Sequence, residues 1–187
     1  MNAEFSQKEN LLYRLLLALA IIAVAGALRI APHPWNFTPV GAMALFSGAM
    51  IKDRRPAFAF PVLALLAGDL FLGFYKLGVM VLVYSSFLLS VLIGRALEKR
   101  RTFLRIAGAT LLGSLQFFLV TNFAVWWLLN SYPKTASGLA ACYLAGLRLF
   151  PNTVVGDALY ACLFFGSFAV AGRFVSVFRE PAPAGAP

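Results

Sequence analysis

Residues 77–95 read LGVMVLVYSSFLLSVLIGR, and they hold no charged side chain before Arg95. A helix needs about 20 predominantly apolar residues to cross the hydrocarbon core of a bilayer, and this run has that length. A soluble globular chain carries about 25% charged residues, so such a run is unusual in water. The stretch therefore predicts a membrane-spanning helix, and the search for others extends outward from it.

Five further apolar runs flank this segment, and one of them, 38–51, is short. A stretch at about 137–149 has helical spacing but is too short to span, so it predicts an interfacial or re-entrant helix. The proline- and alanine-rich tail at 181–187 is expected to be disordered. The sequence predicts one all-α integral membrane domain over 1–180, a six-helix bundle. Its spanning helices are expected at about 11–30, 38–51, 56–75, 77–95, 103–129 and 152–175.

The composition and the charge of the chain support an integral membrane protein, surrounded by lipid. Hydrophobic residues make up 61% of the chain and charged residues 12%, with a formal net charge of +9. Basic residues accumulate in the cytoplasmic loops of membrane proteins, so this charge does not require a nucleic-acid partner. With both termini in the cytoplasm, basic residues are divided twelve inside to four outside, which favours that orientation. The inner set is Lys8, Arg14, Lys52, Arg54, Arg55, Arg95, Lys99, Arg100, Arg101, Arg105, Arg173 and Arg179, and the outer set is Arg29, Lys76, Lys134 and Arg148.

Polar residues inside the predicted spans collect toward the outer side. With a rise of about 1.5 Å per residue, Asp69 is expected roughly 9 Å below the end of its helix and Asp157 roughly 8 Å. Arg29 and Asn122 lie on the same side. Charges in a bilayer are costly, and intramembrane ionisable residues are functional candidates. One interpretation is a polar pocket open to the outside, and the other is that Arg29 pairs with an acid and the carboxylates only hold helices together.

The segment RIAPHPWNFTP, residues 29–39, follows the first predicted helix. Its prolines stop that helix, and irregular backbone at membrane depth needs cover from protein or a water-filled cavity. We expect it to form a lid over the outer end of the bundle. His33 is read as a hydrogen-bonded loop residue or a ligand contact, and Trp35 and Phe37 as interface anchors or groups that stack on a substrate.

Motifs for catalysis and metal binding are lacking in the sequence. It contains no HExxH, GxSxG or P-loop pattern and a single histidine, so no enzymatic activity, cofactor or metal is expected. Cys142 and Cys162 fall in different segments without metal-ligand or redox spacing, and both are read as small apolar residues.

Three motifs resemble the substrate-binding S component of energy-coupling factor (ECF) transporters. They are NFTPVGAMALFSGAM after the first predicted loop, AGDLFLGF at the end of the third helix and LFPNTVVGDALYACLFFG at the start of the sixth. They also resemble an uncharacterised family of small bacterial membrane proteins with PHPxNFTPxGAxALF and LFxNTxxGD patterns. The resemblance implies a six-helix bundle that binds a vitamin-like molecule near its outer face. The pocket residues that it implies are His33, Trp35, Asn36, Phe37, Tyr75, Lys76, Tyr84, Asn122, Trp126, Asn152 and Asp157.

The same resemblance implies partners. An alanine-rich face of the first helix, including Ala23 and Ala27, would dock a membrane-embedded T component that is coupled to two ATPase subunits. The expected function is capture of a small micronutrient at the outer face of the bacterial inner membrane for uptake, with Arg29 and Asp69 added to the pocket. The alternative is a structural or assembly membrane protein whose buried charges hold helices together.

Overall fold

The computed structural model describes Ala20, Val24 and residues 27–29 and 34–174, the last three of these by their backbone alone. All the regular structure in these residues is helical. The helical residues at 20, 24 and 27–29 are together called α1. The helices that follow are α2 (Val40–Met50), α3 (Arg54–Leu72), α4 (Leu77–Arg95), α5 (Phe103–Leu128), α6 (Ala136–Gly146) and α7 (Phe150–Phe174).

The short helix α2 forms the centre of the bundle. It packs against α3, α4, α5 and α7, and its residues 42–49 are all buried. Small residues allow its backbone to approach α4 closely, as in small-xxx-small helix pairs. A Cβ added at Gly48 would lie 2.1 Å from the Val91 carbonyl oxygen, and one added at Gly94 would lie 2.1 Å from that of Leu45. Gly48 of α2 and Gly94 of α4 thus allow close packing of the two helices.

Polar contacts satisfy the backbone at the C-terminal end of α2, where helix carbonyls lack partners within the helix. Arg95 donates to the carbonyl oxygens of Ile51 and Lys52 at 3.4 and 3.2 Å. The Arg101 side chain donates to the carbonyl oxygen of Ala49 at 3.2 Å. Two arginines after or near the end of α4 therefore hold the end of the central helix in place.

Four helices are long and apolar enough to cross a membrane: Arg54–Leu72, Leu77–Arg95, Phe103–Leu128 and Phe150–Ala171. They coincide with four of the six predicted spans, and their length and composition are those of a multi-pass membrane protein. The predicted span at 38–51 is present as a helix of 11 residues, which rises about 16 Å and is therefore shorter than a hydrocarbon core of about 30 Å. The predicted first span at 11–30 lies largely outside the described residues, as does the tail at 181–187.

Helix boundaries differ from the prediction in two places that matter for the site. The third helix ends at Leu72 rather than Tyr75, because Gly73 adopts φ 93, a left-handed value that glycine tolerates. The last helix begins at Phe150 rather than residue 152. The short helix expected at 137–149 is present as Ala136–Gly146.

The bundle has two ends with different chemistry. At the basic end, α2 and α4 finish and α3 and α5 begin, and eight basic side chains lie there: Lys52, Arg54, Arg55, Arg95, Lys99, Arg100, Arg101 and Arg105. The other end, called here the cavity end, is where α3 and α5 finish, α4 and α7 begin and α6 lies. The sequence-based inner and outer groups of the described basic residues thus fall on opposite ends of the fold.

Candidate functional site

A cavity of about 670 Å³ opens at the cavity end of the bundle. It is bounded by α1, the segment before α2, and α2 to α7, and most of its wall is apolar or aromatic with a few polar groups. Its volume falls within the range of small-molecule sites, about 300–1,000 Å³. The lining residues are Arg29, Trp35, Asn36, Thr38, Gly41, Leu72, Tyr75, Val79, Val83, Phe87, Ser90, Gly113, Phe117, Phe118, Thr121, Asn122, Val125, Gly146, Leu149, Phe150, Thr153 and Asp157.

A buried ion pair borders one side of the cavity. The Arg29 guanidinium lies 2.5 Å from Asp69 Oδ1, and the side chain of Asp69 is 1% exposed. The hydroxyl of Tyr84 donates to Asp69 Oδ2 at 2.8 Å. The absence of a side chain at Gly68 makes room for the arginine, since a Cβ there would lie 2.4 Å from Arg29 Cδ. Tyr84 therefore orients Asp69, and Asp69 in turn orients Arg29. Of these three residues, only Arg29 lines the cavity.

Asp157 forms a separate polar site at the cavity floor. Ser114 Oγ donates to its Oδ2 at 2.7 Å, and a further hydrogen bond comes from the backbone of Ala42. Asp157 is 7% exposed, and it lies so close to α2 that a Cβ on Gly41 would meet Oδ1 at 2.3 Å. A carboxylate has about four acceptor positions, so two donors leave capacity for a third group.

The two aspartates do not form one cluster. Asp69 contacts Arg29 and Tyr84, whereas Asp157 accepts a hydrogen bond from Ser114 of another helix. The expected depths of about 9 and 8 Å are counted from Tyr75 and Asn152, whereas α3 ends at Leu72 and α7 begins at Phe150.

The segment before α2 covers part of the cavity mouth. Asn152 Nδ2 donates to the carbonyl oxygen of Trp35 at 3.1 Å, which ties this segment to α7. Asn36 has a left-handed φ of 63, a conformation that asparagine tolerates better than most residues. Phe37 turns away from the cavity and packs edge-on against Tyr160, with ring centroids 5.8 Å apart. Trp35 and Asn36 line the cavity, whereas Asn152 holds the segment in place from outside it.

Trp126 lies at the rim rather than in the cavity wall. Its indole N–H donates to the Pro133 carbonyl oxygen at 2.8 Å, and Lys134 Nζ lies 5.9 Å from the ring centroid. Lys134 also donates to the carbonyl oxygen of Leu129 at 2.5 Å, and Lys76 donates to that of Leu128. These contacts close the C-terminal end of α5, and they leave Trp126 outside the lining residues.

Asn122 is the polar residue of α5 that reaches the cavity. Its amide donates to the Phe118 carbonyl oxygen at 2.8 Å, and its side chain fills the space beside Gly146 of α6, where a Cβ would lie 2.2 Å from Oδ1. The amide is thereby fixed between two helices with its position in the cavity wall defined.

Tyr75 follows α3 in the loop at the cavity mouth and lines the cavity. Burial raises the pKa of its phenol, the negative charge of Asp69 raises it further, and Arg29 opposes the shift. The neutral phenol is therefore favoured at this position.

Of the predicted site residues, the cavity brings together six: Arg29, Trp35, Asn36, Tyr75, Asn122 and Asp157. Phe37, Asp69, Tyr84, Trp126 and Asn152 support its walls or rim without lining it. His33 and Ala23 lie outside the described residues, and Ala27 is exposed on α1.

The sequence interpretation missed most of the apolar wall and the partner of Asp157. Gly113, Phe117, Thr121 and Val125 line the cavity at intervals of four residues along α5, and Ser114 lies beside them. Residues four apart share a helix face. Counting back from Asn122 in steps of four reaches Phe118 and Ser114, so this signal was present in the sequence.

The described side chains form no group of three or more His, Cys, Asp or Glu that could hold a metal ion. Cys142 is buried and Cys162 is exposed, and neither forms a disulfide. The arrangement offers two recognition elements instead: a guanidinium held by Asp69, and a buried carboxyl group at the floor of a largely apolar chamber.

Comparison with known families gives one result. Residues 9–180 match the profile of DUF6580, a family of unknown function. No curated protein and no solved structure matches the chain.

Proposed function

The chain belongs to DUF6580, and from that premise we propose that it is a membrane-embedded substrate-binding or transport subunit that captures a small, vitamin-like molecule at the outer face of a bacterial inner membrane for uptake. The proposal assigns it no catalysis. The observation that carries it is the cavity of about 670 Å³, which opens at one end of a bundle with four helices long enough to span a membrane.

The composition of the cavity wall supports binding rather than simple packing. A small-molecule site is mostly apolar, with a few placed polar groups that orient the ligand. Here phenylalanines and valines supply the apolar surface, and Arg29, Asn122 and Asp157 reach it from three different helices. Each of the three is held by hydrogen bonds to protein groups, so the polar positions are fixed before a ligand arrives.

The charge distribution supports the proposed orientation. Eight basic residues with described side chains lie at the basic end, and four, Arg29, Lys76, Lys134 and Arg148, lie at the cavity end. The side with more Lys and Arg is usually cytoplasmic. This orientation puts the cavity mouth outside and both termini in the cytoplasm.

An ECF-type energising module is the proposed partner, following the sequence resemblance. Its T component would dock on the face of the first helix that carries Ala23 and Ala27, and Ala27 is exposed. The ATPase subunits would then drive release of the substrate on the inner side.

The proposal is tested by native mass spectrometry of the full chain purified gently from its own host, with two matched variants. Val83 lines the cavity, whereas Val81 is 54% exposed two residues earlier on the same helix. We expect a discrete small-molecule adduct on the wild type and on Val81→Trp, and none on Val83→Trp, because the indole projects into the chamber and occupies space that the ligand needs. An adduct of equal intensity on both variants would contradict binding in this cavity. The absence of any adduct, with unchanged thermal stability against a vitamin panel, would contradict the proposed function itself.

A second candidate is a structural or assembly membrane protein, which the direct Arg29–Asp69–Tyr84 contacts favour. In that case the cavity would be a packing gap occupied by lipid chains. The same experiment would then show lipid adducts alone, on both tryptophan variants.

A further inference from the structure

The charges at the cavity are unevenly compensated. Arg29 and Asp157 are the charged side chains among the described lining residues. Arg29 is paired with Asp69 at 2.5 Å, so those two charges largely offset each other. Asp157 has hydrogen-bond donors but forms no ion pair with any residue that the structure describes. The three groups together carry one more negative charge than positive when all are ionised.

The remaining basic side chains of the cavity end do not line the chamber. Lys76 and Lys134 donate to backbone carbonyl oxygens at the end of α5, and Arg148 is exposed. Asp157 lies about 10.5 Å along α7 from its first residue, so these cations are at the rim while the carboxyl group is at the floor. A ligand that reaches the floor therefore meets an acid with spare acceptor capacity.

The aromatic walls of the same cavity suit a cation as well as an apolar body. Phe87, Phe117, Phe118 and Phe150 all line the cavity. The faces of aromatic rings carry partial negative charge and attract ammonium and guanidinium groups. A buried charge is stable in protein when it is paired, so a cationic ligand would supply what Asp157 lacks.

We infer that the cavity selects an organic cation: a small molecule with a protonated amine or amidine that pairs with Asp157, and an apolar or aromatic body that lies against the phenylalanines. This inference rests on the proposed binding function and adds the chemical class of the substrate. An anionic ligand of the same shape meets like charge at the floor and is rejected.

Cysteine labelling measures this charge preference with small reagents in place of the natural ligand. Thr121 lines the cavity, and Thr121→Cys can be made in a full-length chain whose own cysteines are replaced as Cys142→Ala and Cys162→Ser. Methanethiosulfonate reagents with a trimethylammonium group or a sulfonate group then probe the new thiol. Each rate is divided by that of the same reagent with 2-mercaptoethanol in solution.

We expect the normalised rate of the cationic reagent to exceed that of the anionic reagent by ~tenfold, in line with charge focusing in a cleft. Asp157→Asn should bring the two rates close together. The matched control, Glu98→Gln, makes the same chemical change at the basic end and should leave the ratio unchanged.

Equal rates in the wild-type background, or a faster anionic reagent, would overturn the inference while leaving an open cavity intact. A ratio that Asp157→Asn does not alter would overturn it as well. If the Asp157→Asn variant does not fold, the ratio of the cationic to the anionic labelling rate in the wild-type background alone tests the inference. Failure of both reagents to react would show that the chamber is closed, which contradicts the proposed function rather than the charge preference only.

Discussion

Breaking the Arg29–Asp69 pair should destabilise the fold strongly, and removing both charges should cost less than the two single changes suggest. Asp69→Asn keeps the shape of the side chain but leaves the Arg29 guanidinium, which is 14% exposed, without its carboxylate. Removing one partner of a buried ion pair costs about 3–5 kcal/mol. Because Arg29 is not fully buried, we expect a loss near the lower limit, about 3 kcal/mol.

The reverse change gives the second side of a double-mutant cycle. Arg29→Met keeps an unbranched side chain against Gly68 but leaves the Asp69 carboxylate, which is 1% exposed, with the Tyr84 hydroxyl. We expect a similar loss, about 3 kcal/mol. The double variant carries neither charge, so its loss should also be about 3 kcal/mol, which gives a coupling energy of about 3 kcal/mol.

The assay is equilibrium unfolding of the purified protein in mixed micelles with increasing dodecyl sulfate, followed by helicity. Glu98→Gln serves as a control, since its pairing with Arg95 at 3.9 Å is partly exposed and surface pairs contribute about 0–1 kcal/mol. Losses that simply add in the double variant would refute the reasoning, because they would show that the two charges do not stabilise each other.

Three other predictions follow from individual contacts. Gly48→Ala should cost about 3 kcal/mol, because the added Cβ would lie 2.1 Å from the Val91 carbonyl oxygen. Gly108→Ala meets no atom within 4 Å inside α5 and should not lower stability in the same unfolding assay. Arg101→Gln should lower stability by about 1–3 kcal/mol through loss of the hydrogen bond to the Ala49 carbonyl oxygen, and wild-type stability would contradict this. The pKa of Tyr75 is raised in the folded protein, so the stability that its neutral phenol contributes is present below pH 10 and falls as the pH rises beyond it. A tyrosinate absorbance titration of the wild type, compared with that of Tyr75→Phe, should show that Tyr75 ionises above pH 10. Ionisation of Tyr75 below pH 10 would contradict its burial.

Much of the long-helix architecture could be predicted from the sequence. The run at 77–95 coincides with α4, and the run at 103–129 exceeds α5 by one residue. Long apolar runs leave few alternatives in lipid, where each backbone polar group needs a partner within its own segment. The apolar pattern puts the end of α3 three residues too late, because Phe74 and Tyr75 continue that pattern while Gly73 ends the helix through its backbone conformation.

The role of α2 could not be derived from hydrophobicity. Its 11 residues look like a short membrane span in the sequence, yet they form a helix buried on all sides. When every face of a helix is apolar, the hydrophobic periodicity does not show which faces pack against protein and which face lipid. The information lay in the sizes of the side chains, since Gly48 of α2 and Gly94 of α4 allow the two helices to approach closely.

The polar part of the site could be predicted better than its geometry. Arg29, Asn122 and Asp157 stand out in the sequence because ionisable and amide groups are rare inside spans. Their pairing does not follow from the sequence, because spacing cannot decide which acid a basic residue reaches from another helix. The family resemblance implies Trp126 in the pocket, but its indole N–H donates to the Pro133 carbonyl oxygen in the following loop.

The burial of α2 has a consequence for biogenesis. A helix of 11 residues cannot be held across a bilayer by its own length, and its buried surface becomes covered only when later helices are present. It packs closely against Val91 of α4. Arg95 and Arg101, which bind carbonyl groups at its end, are synthesised 55 and 61 residues after it begins at Val40. The nascent chain must therefore keep this segment in the insertion machinery, or at the membrane surface, until α4 has emerged. Membrane insertion and tertiary folding are thus a single process for the first half of this protein.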